Sequence, residues 1–156
     1  MKKRLLNLLF VTLIFGAAAA SAAFAQTVTG SIANGSVSRG KAAKATIVLS
    51  IPGGLHVNSA HPASEYAIAT AVRATSSGAK IGAVSYPRGK NRKFAFSESP
   101  INVYDGATKF TFNVTVPASF KGNKVSVRVT VKYQACTEEV CYSPKTKDIT
   151  LTANVD

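Results

Sequence analysis

Hydrophobic and polar residues alternate along three segments in the second half of the chain. In residues 110–116 the apolar positions carry even numbers, and Thr or Asn fills the positions between them. In residues 124–134 and 148–155 most apolar positions carry odd numbers instead. Because successive side chains of a strand point to opposite faces, this period of two predicts three half-buried β-strands.

Weaker alternation predicts five further strands, at residues 27–32, 43–51, 55–58, 66–74 and 79–86. Turn-forming pairs such as Asn34-Gly35 and Asp105-Gly106 separate the strands, and helical periodicity is nearly absent. Many short strands at this spacing are typical of an antiparallel β-sandwich. Residues 88–99 do not alternate cleanly, and we expect them to form a long surface loop or an irregular hairpin.

The amino terminus has the pattern of a secretory signal peptide, which we assign to residues 1–25. The basic residues Lys2–Arg4 precede a short apolar stretch, and Ala23-Phe24-Ala25 is a small-x-small cleavage site. Residues 26–156 then form a single domain by length. No other apolar run approaches the roughly 20 residues of a spanning helix. We therefore expect a soluble protein that is periplasmic or secreted, with no stable membrane insertion.

The net charge is strongly positive. Three of the 19 basic residues lie in the predicted signal peptide, which leaves 16 basic and seven acidic residues and a charge of +9. Such a charge favours nucleic acid, an anionic membrane surface or an acidic protein as partner. Export and the lack of a recognition motif argue against nucleic acid. Basic charge that is merely spread over a solvated surface is the alternative.

The chain contains two cysteines, Cys136 and Cys141, with four residues between them. In an oxidising compartment two cysteines are expected to pair. A zinc site needs about four ligands in close clusters, whereas the two histidines, His56 and His61, lie far upstream. The sequence therefore predicts no metal site, and no cofactor is expected.

A structural staple and a redox-active pair are both compatible with this spacing. A hairpin with a four-residue loop can place the cysteines opposite each other, with Cα atoms about 4.5 Å apart. So small a ring stabilises the fold by only about 2 kcal/mol in the loop-entropy account. If the odd-numbered core face continues past Tyr133, Cys136 lies on the outer face, where a partner's thiolate can reach its sulfur.

The numbering also predicts an irregularity beside the cysteines. Directly opposed residues share a face, so core positions with odd numbers on both strands require pairs whose numbers sum to an even value. Cys136 and Cys141 sum to an odd value. We therefore expect a bulge or break between the cysteines and Asp148, with Pro144 as the expected place because proline cannot donate to the ladder.

The motif YQACTEEVCYSP, together with GGLHVNSAHP and INVYDG, resembles the N-terminal domain of the thiol:disulfide interchange protein DsbD. The resemblance covers roughly residues 46–155. It implies an immunoglobulin-like β-sandwich whose cysteines cycle between dithiol and disulfide and relay electrons to oxidised partners in the periplasm. It further implies that Cys136 and Cys141 are the redox pair and that Cys141 forms the mixed disulfide with partners.

The resemblance also implies residues around the pair. The family has a cap loop whose aromatic ring covers the disulfide, and Phe96 matches this ring best, with Phe94 as the second candidate. His56 and Asn58 occupy positions beside the active site where the family often has aromatic residues. Other neighbours, from the cysteine motif itself, are Tyr133 and Tyr142.

The family's full architecture adds a transmembrane electron-carrying domain and a thioredoxin-like domain, and this sequence contains neither. We therefore expect a separate thiol-disulfide redox protein, a thioredoxin-like donor or acceptor, as partner. Four basic residues run directly into Phe94, and if this segment caps the disulfide, they surround the entrance and steer acidic partners: Arg88, Lys90, Arg92 and Lys93. A solvated loop is the alternative for these charges.

Glu138 and Glu139 lie inside the cysteine loop and should disfavour a thiolate nearby. We therefore expect thiol pKa values near or above the reference of about 8.5. Two other functions remain open from the residues alone. One is a secreted binding module with an inert hairpin disulfide, and the other is a basic surface protein that binds anionic envelope components.

Overall fold

The computed structural model describes residues 25–156. The predicted signal peptide, residues 1–25, lies outside this part of the chain except for Ala25. The described residues form twelve β-strands and no helix. In this range, accordingly, no helix has the length and hydrophobicity needed to cross a membrane.

The strands range from two to eleven residues in length, and the two longest lie near the end of the chain. Their bounds are β1 Thr27–Ile32, β2 Ser36–Val37, β3 Ala42–Ser50, β4 His56–Asn58, β5 Ala71–Thr75, β6 Lys80–Ile81, β7 Lys90–Arg92, β8 Ile101–Tyr104, β9 Ala107–Thr115, β10 Lys124–Tyr133, β11 Ala135–Cys136 and β12 Lys145–Val155.

The strands form an immunoglobulin-like β-sandwich, which confirms the predicted fold class. One sheet has the order β1-β3-β9-β6 and a second has the order β2-β12-β10-β5. A smaller third sheet has the order β11-β4-β8-β7. All pairs of strands are antiparallel except β2 with β12. The third sheet carries both Cys136 and His56.

The predicted alternation matches the buried positions of the long strands. The even positions of β9 from Thr108 to Val114 and the odd positions of β10 are buried, and so are Leu151, Ala153 and Val155 of β12. These side chains join those of β3 in one hydrophobic cluster. Burial of this apolar surface, worth about 25 cal/mol per Å², is the main force that holds the sheets together.

Some strand bounds differ from the sequence prediction. The strand predicted at 66–74 is confined to β5, and the one predicted at 79–86 is reduced to β6 and an isolated bridge at Ser85. Residues 88–99 contain β7, which pairs with β8 in an irregular hairpin, one of the two predicted forms. Residues 145–147 extend β12 although they are polar and exposed, because the ladder to β10 holds them.

The break beside the cysteines is confirmed. The ladder between β10 and β12 ends at the pair Tyr133 and Lys145, and every pair in it sums to an even number. The next bridge joins Cys136 to Cys141, with an odd sum. Three residues on one side of the hairpin, 142–144, therefore lie opposite two residues on the other, 134–135. The one extra residue defines a bulge. Pro144 lies in this stretch, where no strand forms.

Candidate redox site

Cys136 and Cys141 form a disulfide with their Cα atoms 4.0 Å apart, across the predicted hairpin. Thr137 stabilises the loop between them. Its backbone N–H donates to the carbonyl of Val140 at 2.8 Å, and its hydroxyl accepts hydrogen bonds from the backbone N–H groups of Glu139 and Val140. The loop is therefore a defined turn that holds the two sulfurs on one hairpin.

The prediction that Cys136 lies on an outer, accessible face is wrong, because its exposed fraction is 0%. The alternation of β10 ends at Tyr133, and the chain leaves that sheet to pair β11 with β4. Ala135 and Cys136 are consecutive and both buried, so both faces of this short strand are covered. Cys141 is only half-buried, so it is the more accessible of the two sulfur-bearing residues.

His56 lies directly opposite Cys136 in the ladder between β4 and β11. Opposed residues of an antiparallel pair share a face, with Cβ atoms about 4.5–5.5 Å apart. The imidazole is 1% exposed, and its Nδ1 has no hydrogen-bond partner among residues 25–156. Burial lowers the pKa of His56, and Arg92 lowers it further, whereas Glu138 and Asp105 act in the opposite direction.

Two phenylalanine rings stack outward from His56. The ring of Phe94 lies 4.2 Å from the imidazole, nearly parallel to it, and Phe96 lies 5.2 Å from Phe94 on the other side. Phe94 is buried and packs with Ile101 and Val103, whereas Phe96 is 42% exposed. We name residues 93–99 the cap segment. Which of its two rings protects the disulfide stays a prediction.

The basic residues before the cap segment make specific contacts. Arg92 forms an ion pair with Glu138 of the cysteine loop at 2.5 Å, and its guanidinium lies 5.2 Å from the centre of the Phe94 ring. Lys90 pairs with Asp105 at 2.8 Å, and Lys93 donates to the backbone carbonyl of Glu98. Arg88 is exposed.

Two of the four charges therefore have a carboxylate partner. This weakens the positive field that the sequence predicts for the entrance. Steering of acidic partners stays a prediction.

Asn58 and Gln134 connect the cysteine hairpin to the loop after β4. The buried Asn58 donates through Nδ2 to the Gln134 side-chain oxygen and to the Ile68 carbonyl, each at 3.1 Å. The same Gln134 oxygen accepts from the Ile68 backbone N–H, and its Nε2 donates to the Tyr142 carbonyl at 3.2 Å. Gln134 is a site residue that sequence reasoning missed, although it lies within the motif YQAC.

The two predicted tyrosine neighbours have different environments. Tyr133 is fully buried in the core, its hydroxyl has no partner among the described residues, and burial raises its pKa. Tyr142 is 49% exposed, and its backbone N–H donates to the Ala135 carbonyl at 2.9 Å. Tyr142 therefore lies on the surface next to Cys141, whereas Tyr133 is part of the hydrophobic core.

An open cleft of about 700 Å³ reaches Cys141. Phe96, Tyr66 and Gln134 line it with the cysteine. The large hydrophobic side chains that are exposed in the described part of the chain all line this cleft or flank Cys141 in sequence: Tyr66, Phe96, Val140 and Tyr142. Sequence reasoning did not single out Tyr66 or Val140. Exposed aromatic and apolar groups gathered around one reactive group are typical of a protein-docking surface.

The sequence and the fold are similar to those of known proteins. The family model of the thiol:disulfide interchange protein DsbD, N-terminal, matches residues 27–153. The DsbD N-terminal domain of Neisseria meningitidis in the reduced form is 18% identical, over 70% of this chain and 80% of that chain, with a TM-score of 0.45.

The N-terminal periplasmic domain of ScsB from Proteus mirabilis is 15% identical, over 81% of this chain, with a TM-score of 0.52. The match spans 44% of that ScsB chain. A search of curated proteins found no match. Because the family model extends from the first strand of the sandwich into the last, the chain belongs to the DsbD N-terminal domain family.

Proposed function

We propose that this protein is a periplasmic thiol:disulfide exchange protein that relays electrons between thioredoxin-like partners through Cys136 and Cys141. The observation that carries the proposal is the unequal exposure of the two cysteines, with Cys136 fully buried and Cys141 half-buried at an open cleft. Membership of the DsbD N-terminal family supports thiol-disulfide chemistry in general. The predicted signal peptide and the periplasmic ScsB domain support the location.

Uptake of electrons begins at Cys141. A thiolate of the reduced donor attacks the Cys141 sulfur, the bond between the two cysteines breaks, and Cys136 leaves as a thiolate that takes up a proton. The second thiolate of the donor then attacks the donor sulfur in the mixed disulfide. The bond between Cys141 and the donor breaks, Cys141 leaves as a thiolate that takes up a proton, and the donor departs as a disulfide. This protein then holds two thiols and the two electrons.

Delivery is the reverse sequence with an oxidised acceptor. The Cys141 thiolate attacks the acceptor disulfide, and one acceptor sulfur leaves as a thiolate. Cys136 then attacks the Cys141 sulfur, re-forms the disulfide and releases the second acceptor thiolate. The exposed residues Tyr66, Val140 and Tyr142 supply apolar contact area for the docked partner.

A purely structural disulfide accounts poorly for this arrangement. The ring closed by the bond is small, so it stabilises the fold by only about 2 kcal/mol in the loop-entropy account. The hairpin is already held by the Thr137 turn and by the Gln134 side chain. A structural role also gives no reason for apolar side chains to remain exposed around Cys141.

The test combines a reduction potential with a trapping experiment. In glutathione buffers a relay should equilibrate above about −300 mV, whereas a structural bond should lie below that value. Cys136→Ser leaves Cys141 to capture thioredoxin-like proteins from periplasmic extract as mixed disulfides. Cys141→Ser, the matched control, leaves a buried thiol and should capture far less. A potential below the limit together with no capture by either variant contradicts the relay.

A further inference from the structure

We propose that His56 is the proton acceptor for the Cys136 thiol when this buried cysteine resolves the mixed disulfide on Cys141. The inference deepens the relay and rests on the proposed function. It assigns chemistry to a position that the sequence marks only as a neighbour of the site.

His56 lies close to Cys136 in the fold. His56 and Cys136 are directly opposed across two antiparallel strands, so their side chains lie on the same face. Phe94 covers this face, because its ring stacks on the imidazole at 4.2 Å. Both residues are essentially inaccessible, with exposed fractions of 1% and 0%. The thiol of reduced Cys136 therefore shares a closed space with the imidazole.

The buried thiol of Cys136 needs a base before it can react. A thiol buried in apolar surroundings has a raised pKa, so it forms the thiolate that attacks a disulfide only with difficulty. The charged groups that influence the pKa of His56 are Arg92 from β7, Glu138 from the cysteine loop and Asp105 after β8. The carboxylate of Glu138 forms an ion pair with Arg92, and that of Asp105 forms an ion pair with Lys90. The imidazole is thus the base that remains close to Cys136.

The Nδ1 nitrogen of His56 is available to accept a proton. In the disulfide state Cys136 carries no hydrogen, and Nδ1 of His56 has no partner among residues 25–156. A buried polar atom without a partner costs roughly 1–3 kcal/mol, so its persistence calls for a reason. Reduction places an S–H donor opposite it. Burial lowers the pKa of His56, so the ring is neutral at pH 7, and its Nε2–H tautomer has the lone pair on Nδ1.

In the mixed disulfide the proton of the Cys136 thiol moves to Nδ1 of His56, and the thiolate attacks the Cys141 sulfur. The Cys136–Cys141 bond forms and the Cys141–acceptor bond breaks. The acceptor sulfur leaves with the electron pair as a thiolate, and the imidazolium returns its proton to that thiolate or to water.

The test follows the reduced protein with 5,5′-dithiobis(2-nitrobenzoate) in a stopped-flow instrument. Attack by Cys141 releases one coloured thiolate, and attack by Cys136 on the mixed disulfide releases a second. His56→Phe retains a ring that can stack on Phe94 but has no acceptor. We expect its second phase to slow by about 100-fold at pH 7, at the lower end of general-base effects, with an unchanged first phase.

The pH dependence separates a base from a packing residue. In the wild type, the rate of the second phase should fall only when the pH drops below the pKa of His56. In His56→Phe the rate should rise steadily with pH as the thiol itself ionises. His61→Phe, a change at the exposed second histidine, should match wild type in both phases.

The outcomes of the kinetic test are distinct. A wild-type protein that never releases the second thiolate refutes the proposed relay, and this inference with it. Two wild-type phases with an equally fast second phase in His56→Phe overturn the inference alone.

Nitrogen NMR of the wild type decides the question even if that variant fails to fold. The Nδ1 resonance should shift between disulfide and dithiol, and it should not shift on addition of reductant to the Cys136→Ala variant. An Nδ1 resonance that is the same in both redox states of the wild type overturns the inference.

Discussion

The Arg92 guanidinium and the Glu138 carboxylate form an ion pair at 2.5 Å that ties the strand before the cap segment to the loop between the two cysteines. The pair joins residues that lie far apart in the sequence, and Arg92 also contacts the Phe94 ring. Movement of the cap segment away from the cysteine loop would have to separate these charges.

Arg92→Gln should therefore speed reduction of the disulfide by small thiols. Partly exposed ion pairs contribute about 0.2–1 kcal/mol, so we expect an increase of about 1.5- to 5-fold at low salt. The difference should shrink at high salt, where the Debye length falls to about 3 Å. Dithiothreitol kinetics measure it. Lys90→Gln breaks a pair that does not involve the cysteine loop and serves as control; equal rates in the two variants would refute the role of Arg92.

Phe96→Ala should make the disulfide more accessible to small thiols while the stability changes little. Phe96 is 42% exposed and stacks on one side only, so its removal costs mainly the aromatic pair, about 0.5–1.5 kcal/mol. Phe94→Ala removes a buried ring and should destabilise the fold by about 3–5 kcal/mol. Glutathione kinetics and urea unfolding measure both effects. Unchanged reactivity in Phe96→Ala would leave Phe94 as the cap.

Acid should destabilise the protein through His56. Burial, followed by the charge of Arg92, lowers its pKa in the folded state, so the unfolded chain takes up this proton first. The contribution is present above the unfolded pKa of about 6.5 and is lost as the pH falls through the lowered value. The melting temperature should drop in this window, and His56→Phe should reduce the drop. If His61→Phe reduces it equally, the assignment to His56 is wrong.

Gln134→Leu should destabilise the cysteine hairpin and its support. The change removes the acceptor of the buried Asn58 side chain and the donor to the Tyr142 carbonyl. The Asn58 amide keeps its bond to the Ile68 carbonyl and the Tyr142 carbonyl is exposed, so urea unfolding should report a loss of about 1 kcal/mol, at the lower end for buried groups that lose a partner. Gln134→Glu retains the acceptor but loses the donor and should fall between wild type and Gln134→Leu. A neutral Gln134→Leu would show that these hydrogen bonds do not stabilise the hairpin.

Charge steering predicts a rate effect at low salt. Replacing Arg88, Lys90, Arg92 and Lys93 by Gln should slow association with an acidic partner several-fold at low salt and hardly at all at high salt. Four exposed lysines provide the control: Lys121 and Lys124, at the start of β10, and Lys41 and Lys44, at the start of β3, which pairs with the end of β9 that leads into β10. At about 3.3 Å per residue, the length of β10 places Lys124 roughly 30 Å from Tyr133, where the redox site begins. Equal slowing by both sets would refute local steering.

The sequence predicts the sandwich because its long strands have one buried face each. Val125 to Tyr133 show the alternation clearly, and the strands bury those positions. The register break near Pro144 is also predicted, because paired core residues have numbers with an even sum, whereas Cys136 and Cys141 have an odd sum. The alternation of apolar and polar residues does not predict β2, which has only two residues, or residues 145–147 of β12, which are polar. Both segments are strands because they pair with neighbouring strands of the sheet.

The sequence predicts which residues form the candidate site, but it does not predict how deeply they are buried. The spacing of Cys136 and Cys141 predicts the hairpin, and the resemblance supplies the neighbours. The exposure of Cys136 is mispredicted because the chain changes sheets at Gln134, and alternation holds only within one sheet. The role of Gln134 depends on partners that are distant in the sequence, which no local pattern specifies.

The extra residue in the bulge at 142–144 separates two structural units along one chain. The ten pairs between β10 and β12 end at Tyr133, and the cysteine bridge belongs to another register and another sheet. A covalent bond can therefore open and close at the tip without shifting the long ladder below it. The proposed redox cycle would thus be confined to the cysteine hairpin, and opening the bond should lower the global stability only by the roughly 2 kcal/mol of the disulfide itself.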